Sequence, residues 1–198
     1  KSETTTAIDT LLPSVIEDKF NILLIGDSKS GKTKFLELFS KFSGKELKLK
    51  QDSQFNNINE YEPIFRKLID MKTRENMYVQ FNITEINDLR KDDMNNNKTY
   101  HAVFIMYDIN YNNSKKYAYH LYKTSEMLYP TAHMYILSSK IDNIKNKKTY
   151  EFNNRTTKFT YARITKRTDY NIEYPFLSLI WKYYLYEKLV RFTCPLID

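Results

Sequence analysis

The sequence predicts an α/β fold in three layers: a mostly parallel six-stranded sheet with one antiparallel edge strand, and helices on both faces. Three observations predict it. Short apolar runs alternate along the chain with amphipathic stretches of helical period. Some of these runs are continuous in apolar residues, as strands covered on both faces must be. One of them, 22–25 (Ile-Leu-Leu-Ile), runs straight into a turn that begins at Gly26 and opens a helix at Lys32.

The elements follow in order. Residues 1–18 are polar with one proline and read as a tail. Residues 20–25 form the first, buried strand. Residues 32–43 form the first helix, because Phe35, Leu38, Phe39 and Phe42 repeat along one face and Gly44 stops it. The Asn-rich, charged stretch 44–59 reads as a long loop. Residues 65–71 and 77–86 are two strands joined by the polar stretch 72–76 as a hairpin. In the second strand Val79, Phe81 and Ile83 share one face, and Gln80, Asn82 and Thr84 the other. Residues 89–99 read as a further loop, and 102–107 as a buried strand ending in Asp108. Residues 114–129 read as a helix with Tyr117, His120, Leu121, Thr124, Met127 and Leu128 along its stripe, and Pro130 at its exit. A strand at 134–137, loop or frayed helix at 143–157, a strand at 159–164 and a helix at 176–191 complete the chain. The apolar side of the last helix carries Phe176, Leu179, Ile180, Tyr183 and Val190. One domain, 19–193, accounts for nearly everything, and 194–198 form a short end.

The turn after the first strand carries the most chemistry. Gly26, Asp27, Ser28, Lys29, Ser30, Gly31, Lys32 and Thr33 match G-x-x-x-x-G-K-(S/T) between a strand and a helix, the phosphate-binding P-loop. The chain holds 3 glycines, and two of them occupy the two fixed positions of this pattern. Backbone N–H groups from Gly26 to Thr33 are expected to cradle a di- or triphosphate, helped by the dipole of the following helix. Gly26, Ser28, Lys29, Ser30, Gly31, Lys32 and Thr33 are therefore the expected phosphate-binding set. Lys32 would reach the terminal phosphates, and Thr33 would ligate Mg²⁺. The fold expected around this turn is the three-layer P-loop NTPase fold.

Composition sets bounds. With 198 residues, 41% apolar and 15% aromatic, the chain can build one ordinary core and is not a disordered segment. The formal charge of +7 is spread over loops such as 45–50, 145–148 and 163–167, without a nucleic-acid-binding signature, so no nucleic acid is expected as partner. A single cysteine, Cys194, excludes a disulfide framework or thiolate zinc site within the chain. His101, His120 and His133 lack ligand spacing. No transmembrane run or signal peptide is visible, so the expected location is cytoplasmic, with membrane contact at most peripheral.

Over 20–190 the order of elements, the P-loop and later motifs resemble the small GTPases of the Ras/Rab type. Gly26-Asp27-Ser28 followed by Gly31-Lys32-Thr33 is similar to the Rab form of the P-loop. Glu60-Tyr61-Glu62-Pro63 is similar to the E-Y-D-P of switch I, and Ile64 takes the place of the family's threonine. After the second hairpin strand, Glu85 takes the place of the Mg²⁺-associated aspartate of D-x-x-G. Asp88 replaces its glycine, and Leu89 the glutamine that orients the attacking water. Ser139-Lys140-Ile141-Asp142 is similar to N-K-x-D, and Thr165-Lys166-Arg167-Thr168 with Asn171, Ile172, Glu173 and Phe176 to the S-A-K motif and its helix. Tyr107-Asp108-Ile109-Asn110 with Ser114 and Tyr117 resembles a Rab stretch that caps a strand and opens a helix.

The resemblance implies GTP or GDP with Mg²⁺ as cofactors. Ser139, Lys140, Asp142, Thr165, Lys166 and Arg167 would hold the guanine, with two hydrogen bonds to the Asp142 carboxylate. Ser139, being shorter than asparagine, is expected to lose reach for bridging hydrogen bonds. Mg²⁺ would rest on Thr33 and, through water, on Glu85. Loss of the glutamine and the switch threonine implies slow hydrolysis. The implied function is a nucleotide-holding interaction module or weak GTPase. It would bind protein partners through its switch-like surface, in trafficking or in a cytoskeletal or ciliary assembly. Two alternatives stand beside it: a partner-stimulated GTP hydrolase, and a pseudo-GTPase scaffold without nucleotide.

Overall fold

The computed structural model describes residues 18–50, 58–87, 89, 98–143, 152, 159–165, 171–184 and 190–192. Eight strands form one mixed sheet: β1 (Asp18–Gly26), β2 (Ile58–Glu60), β3 (Ile64–Asp70), β4 (Asn76–Ile86), β5 (Ala102–Asp108), β6 (His133–Ser139), β7 (Thr160–Arg163) and β8 (Val190–Phe192). The helices are α1 (Lys32–Lys41), α2 (Asn112–Leu128) and α3 (Tyr174–Tyr183), with a 3₁₀ turn at Ile141–Asn143. Across the sheet the order is β7-β6-β5-β1-β4-β3-β8, with β2 also on β4. From β7 to β4 all neighbours are parallel. β2 and β3 run antiparallel to β4, and β8 antiparallel to β3.

The alternation of side chains sorts the core into two layers. Phe20, Ile22 and Leu24 of β1 join Phe104 of β5 and Leu137 of β6 on one face. That face is covered by Phe35, Leu36 and Phe39 of α1 and by Phe176, Leu179 and Ile180 of α3. Leu23, Ile25, Val103, Ile105 and Ile136 lie on the other face under Ala118, Leu121 and Tyr122 of α2. Helices therefore cover both faces, as expected. No helix among the described residues is long and apolar enough to cross a membrane.

The structure corrects four expectations. The sheet has eight strands rather than six. β2 begins in the last residues of the stretch expected to be loop: its sequence carries no period, and it is held by pairing Ile58, Asn59 and Glu60 with Ile86, Glu85 and Thr84. β8 overlaps the end of the expected last helix, which instead ends at Tyr183. Phe192 buries itself against the rings of Phe39 and Phe81, and β8 pairs along the edge of β3. A long-range strand pairing thus overrides a local helical pattern. The hairpin strand β3 is consequently not an edge strand.

The buried side of α2 is also rotated from the expected stripe. Ser114, Ala118, Leu121, Tyr122 and Ser125 face inward, while His120 is exposed and Met127 is 82% exposed. Small residues let the helix approach the sheet closely, and a count of apolar residues gives Ser114 and Ser125 no weight.

β2 and β3 form one strand broken by a bulge. Residues 61–63 oppose only 82 and 83 on β4, and Pro63 within them has no N–H to offer the ladder. Ile58 and Ile64, an even number apart, would share a face in an unbroken strand. Instead Ile58 packs on the α2 side and Ile64 on the α1 side. The extra residue reverses the phase, so Tyr61, Ile64 and Leu68 all reach the layer under α1.

Candidate functional site

β1 is the central strand, and the chain places β4 on one side of it and β5 on the other. Such a reversal of strand order opens a crevice at the carboxyl ends of the strands. Gly26, Ile86, Asp108 and Ser139 end their strands at this one end of the sheet.

The turn after β1 is held from every side. A Cβ on Gly26 would stand 2.1 Å from the Met106 carbonyl oxygen, so only glycine allows β1 this close to β5. Gly31 has φ 90°, a left-handed conformation, and leads into α1, which has no side-chain cap and no acidic residue in its first turn. The Ser30 hydroxyl donates to the Asp27 carbonyl (2.8 Å), and the Asp27 carboxylate accepts the Lys29 N–H (2.9 Å). Its other oxygen accepts the Ser114 hydroxyl of α2. Ser28 and Lys29 are exposed at the tip, and Ser30 is buried. Lys32 is 3% exposed, and its ammonium donates to the carbonyls of Gly26 (2.9 Å) and Asp27 (2.8 Å). Burial lowers its pKa from the ordinary lysine value, and the Glu85 and Asp27 carboxylates oppose that shift.

Beside the turn, the Thr33 hydroxyl lies 3.3 Å from both oxygens of the Glu85 carboxylate. The Tyr61 hydroxyl donates to the same carboxylate. Tyr61 is 3% exposed and Glu85 4%. Burial, reinforced by the hydrogen bond to Glu85, pushes the phenol far above its ordinary pKa, so it remains a donor. A Mg²⁺ ion fits this donor set. Thr33 spends its hydrogen on Glu85 and keeps its oxygen lone pairs, and Mg²⁺ retains waters that a carboxylate can hold. Among the described residues no three His, Cys, Asp or Glu gather into an all-protein metal site. The ion would therefore depend on Thr33, water and phosphate oxygens.

On the other flank, Ser139 ends β6. Its hydroxyl lies 2.7 Å from the Ser30 carbonyl and 3.0 Å from that of Tyr107. On the protein side, therefore, β6 comes near enough to the turn for the Ser139 hydroxyl to bridge to it. Lys140 takes φ 61°, and its ammonium pairs with Asp108 at 2.6 Å. Asn110 donates to the same carboxylate from its backbone (2.9 Å) and its amide (3.1 Å). Asp142 sits in the 3₁₀ turn, and its buried Oδ1 has no hydrogen-bond partner among the described residues. Thr165 is buried just beyond β7. Lys166 and Arg167 lie outside the described residues, as does Asp88. Downstream, Ile172 and Phe176 are core, and Glu173 pairs with the buried Arg66.

The expected switch I position also moves. Ile64 pairs with Phe81, four residues before Glu85 along β4, hence roughly 13 Å from it. It is a core residue, remote from the turn after β1. Among the described residues, Ile58 and Asn59 pair with Ile86 and Glu85 at the carboxyl end of β4, and 51–57 before them lie outside the described residues. Leu89 packs against the core under α2.

Sequence reasoning missed Tyr61, Asp108 and Ser114 as parts of the site. All three stand in motifs that resemble the family's, but those motifs give them no contact with the turn after β1 or with Glu85; the approach of Tyr61 to Glu85 depends on the bulge, which no motif reports. No protein-family model matches the chain, and no curated protein sequence matches it.

Proposed function

We propose that the chain is a guanine-nucleotide-binding domain of the Ras/Rab small-GTPase kind, holding GDP or GTP with Mg²⁺. The observation that carries this reading is the bridge from Ser139 to Ser30. It joins the phosphate-type turn to the turn that presents Asp142. An acidic oxygen buried without a donor is costly, and a guanine edge would supply two N–H donors. Lys32, already buried over the Gly26 and Asp27 carbonyls, would share its third hydrogen with a phosphate oxygen. Leu89 has no polar atom with which to orient a water, so intrinsic hydrolysis is slow and the domain acts chiefly by holding nucleotide and binding protein partners.

The test is the nucleotide content of the purified chain, followed by affinities for GDP and ADP. GDP is expected to bind at least tenfold more tightly than ADP, and Asp142→Ala to remove that preference. Lys32→Ala is expected to weaken both ligands through loss of a charge-assisted bond. Absence of bound GDP or GTP, with no binding on addition, would sink the reading.

A further inference from the structure

We infer that Tyr61 is a positioning residue for the divalent cation of the nucleotide site, acting by holding the Glu85 carboxylate against Thr33. The inference rests on the nucleotide-binding reading above.

Glutamate has one more rotatable bond than aspartate, so a glutamate at this position needs a second restraint to keep its carboxylate in one place. Glu85 stands on β4 beside Leu24, two residues before Gly26. Its side chain is nearly enclosed, where an unmet carboxylate would be strongly disfavoured. Thr33 approaches both oxygens, and the Tyr61 phenol takes Oε2. The phenol reaches this place only through the bulge at 61–63. With regular pairing, the face that carries Ile64 and Leu68 would exclude residue 61. The bulged strand is anchored at the same point by the Tyr61 N–H on the Ile83 carbonyl, 3.2 Å. Outside it, Glu62 N–H bonds the Lys48 carbonyl at 2.8 Å. The ring packs in the layer under α1, so the phenol is held on a rigid support. Carboxylates that orient a cation's waters are commonly fixed by such outer hydrogen bonds, whose loss costs about 10–100-fold in cation affinity.

The experiment compares GDP affinity in excess Mg²⁺ and in EDTA for the wild type and Tyr61→Phe, with thermal unfolding of each nucleotide-free protein. The wild type is expected to gain affinity with Mg²⁺. Tyr61→Phe is expected to keep the EDTA affinity and to lose about tenfold of the Mg²⁺ gain. Glu85→Asp, which draws the carboxylate back from the phenol, should lose the gain similarly, and the double variant no more than either alone. Equal losses in both buffers, an intact Mg²⁺ gain in Tyr61→Phe, or additive losses would overturn the inference. If Tyr61→Phe does not fold, a full Mg²⁺ gain in Glu85→Asp overturns it. A wild type that binds GDP without any Mg²⁺ gain overturns this inference alone. A wild type that binds no GDP in either buffer overturns the nucleotide reading with it.

Discussion

Ser139 and Ser30, 109 positions apart in the chain, meet where a hydroxyl at the end of β6 donates to a carbonyl in the turn after β1, 2.7 Å away. Both residues are almost fully buried. The contact makes the phosphate-type turn and the Asp142 turn one unit, because neither can shift without breaking a buried hydrogen bond.

Ser139→Ala should therefore cost about 1–2 kcal/mol of stability in urea unfolding, through the Ser30 and Tyr107 carbonyls it leaves without that donor. It should also weaken GDP binding. Ser139→Asn restores the residue type of the resembling family but adds volume to a buried site, and should be no tighter a binder than the wild type. Urea titration and GDP binding by fluorescence check both variants. Unchanged stability in Ser139→Ala would show that the bridge contributes nothing.

Gly26 and Gly44 separate two reasons for glycine. Gly26→Ala places a methyl 2.1 Å from a backbone oxygen of β5, which cannot swing away as a side chain could. The strand must move, and several kcal/mol of stability should go with it, at least the roughly 1–3 kcal/mol of ordinary overpacking. Gly44→Ala meets nothing within 4 Å, but φ of +71° is strained for alanine, so a loss of about 1 kcal/mol is expected. Thermal denaturation of the two variants should rank them in that order.

His133, at the start of β6, is exposed on one side, and partial desolvation and, secondarily, the Lys182 ammonium lower its pKa from the ordinary 6.5, a small effect because solvent screens it. The folded chain thus resists the proton that the unfolded chain takes up. This stabilising contribution is complete above 6.5 and is lost as pH falls through the lower folded value. His133→Asn should flatten that part of the acid slope. Melting temperatures of both proteins between pH 7.5 and about 5 read the difference. Parallel curves would refute the assignment to His133.

Much of the architecture was legible locally. The run at 22–25 and the helical repeat of Phe35 and Phe39 mark β1 and α1, because each pattern reflects one element's own burial. The alternation of Val79, Phe81 and Ile83 holds in β4, whose inward face is set by a period of two. Glycine positions marked the turn, since a backbone that must touch a neighbouring strand tolerates little else.

The side of α2 that packs, the capture of 190–192 by β3 and the displacement of Ile64 from the carboxyl end of β1 depended on pairings distant in sequence. A single extra residue at 61–63 reverses which side chains face α1, and no local period reports such a change. By itself the sequence determined the strand–turn–helix order and the alternation of layers, because these follow from covalent geometry and local burial. Only the tertiary structure decided that Tyr61 meets Glu85 and that the Ser139 hydroxyl reaches the Ser30 carbonyl, because both depend on how closely separate strands approach.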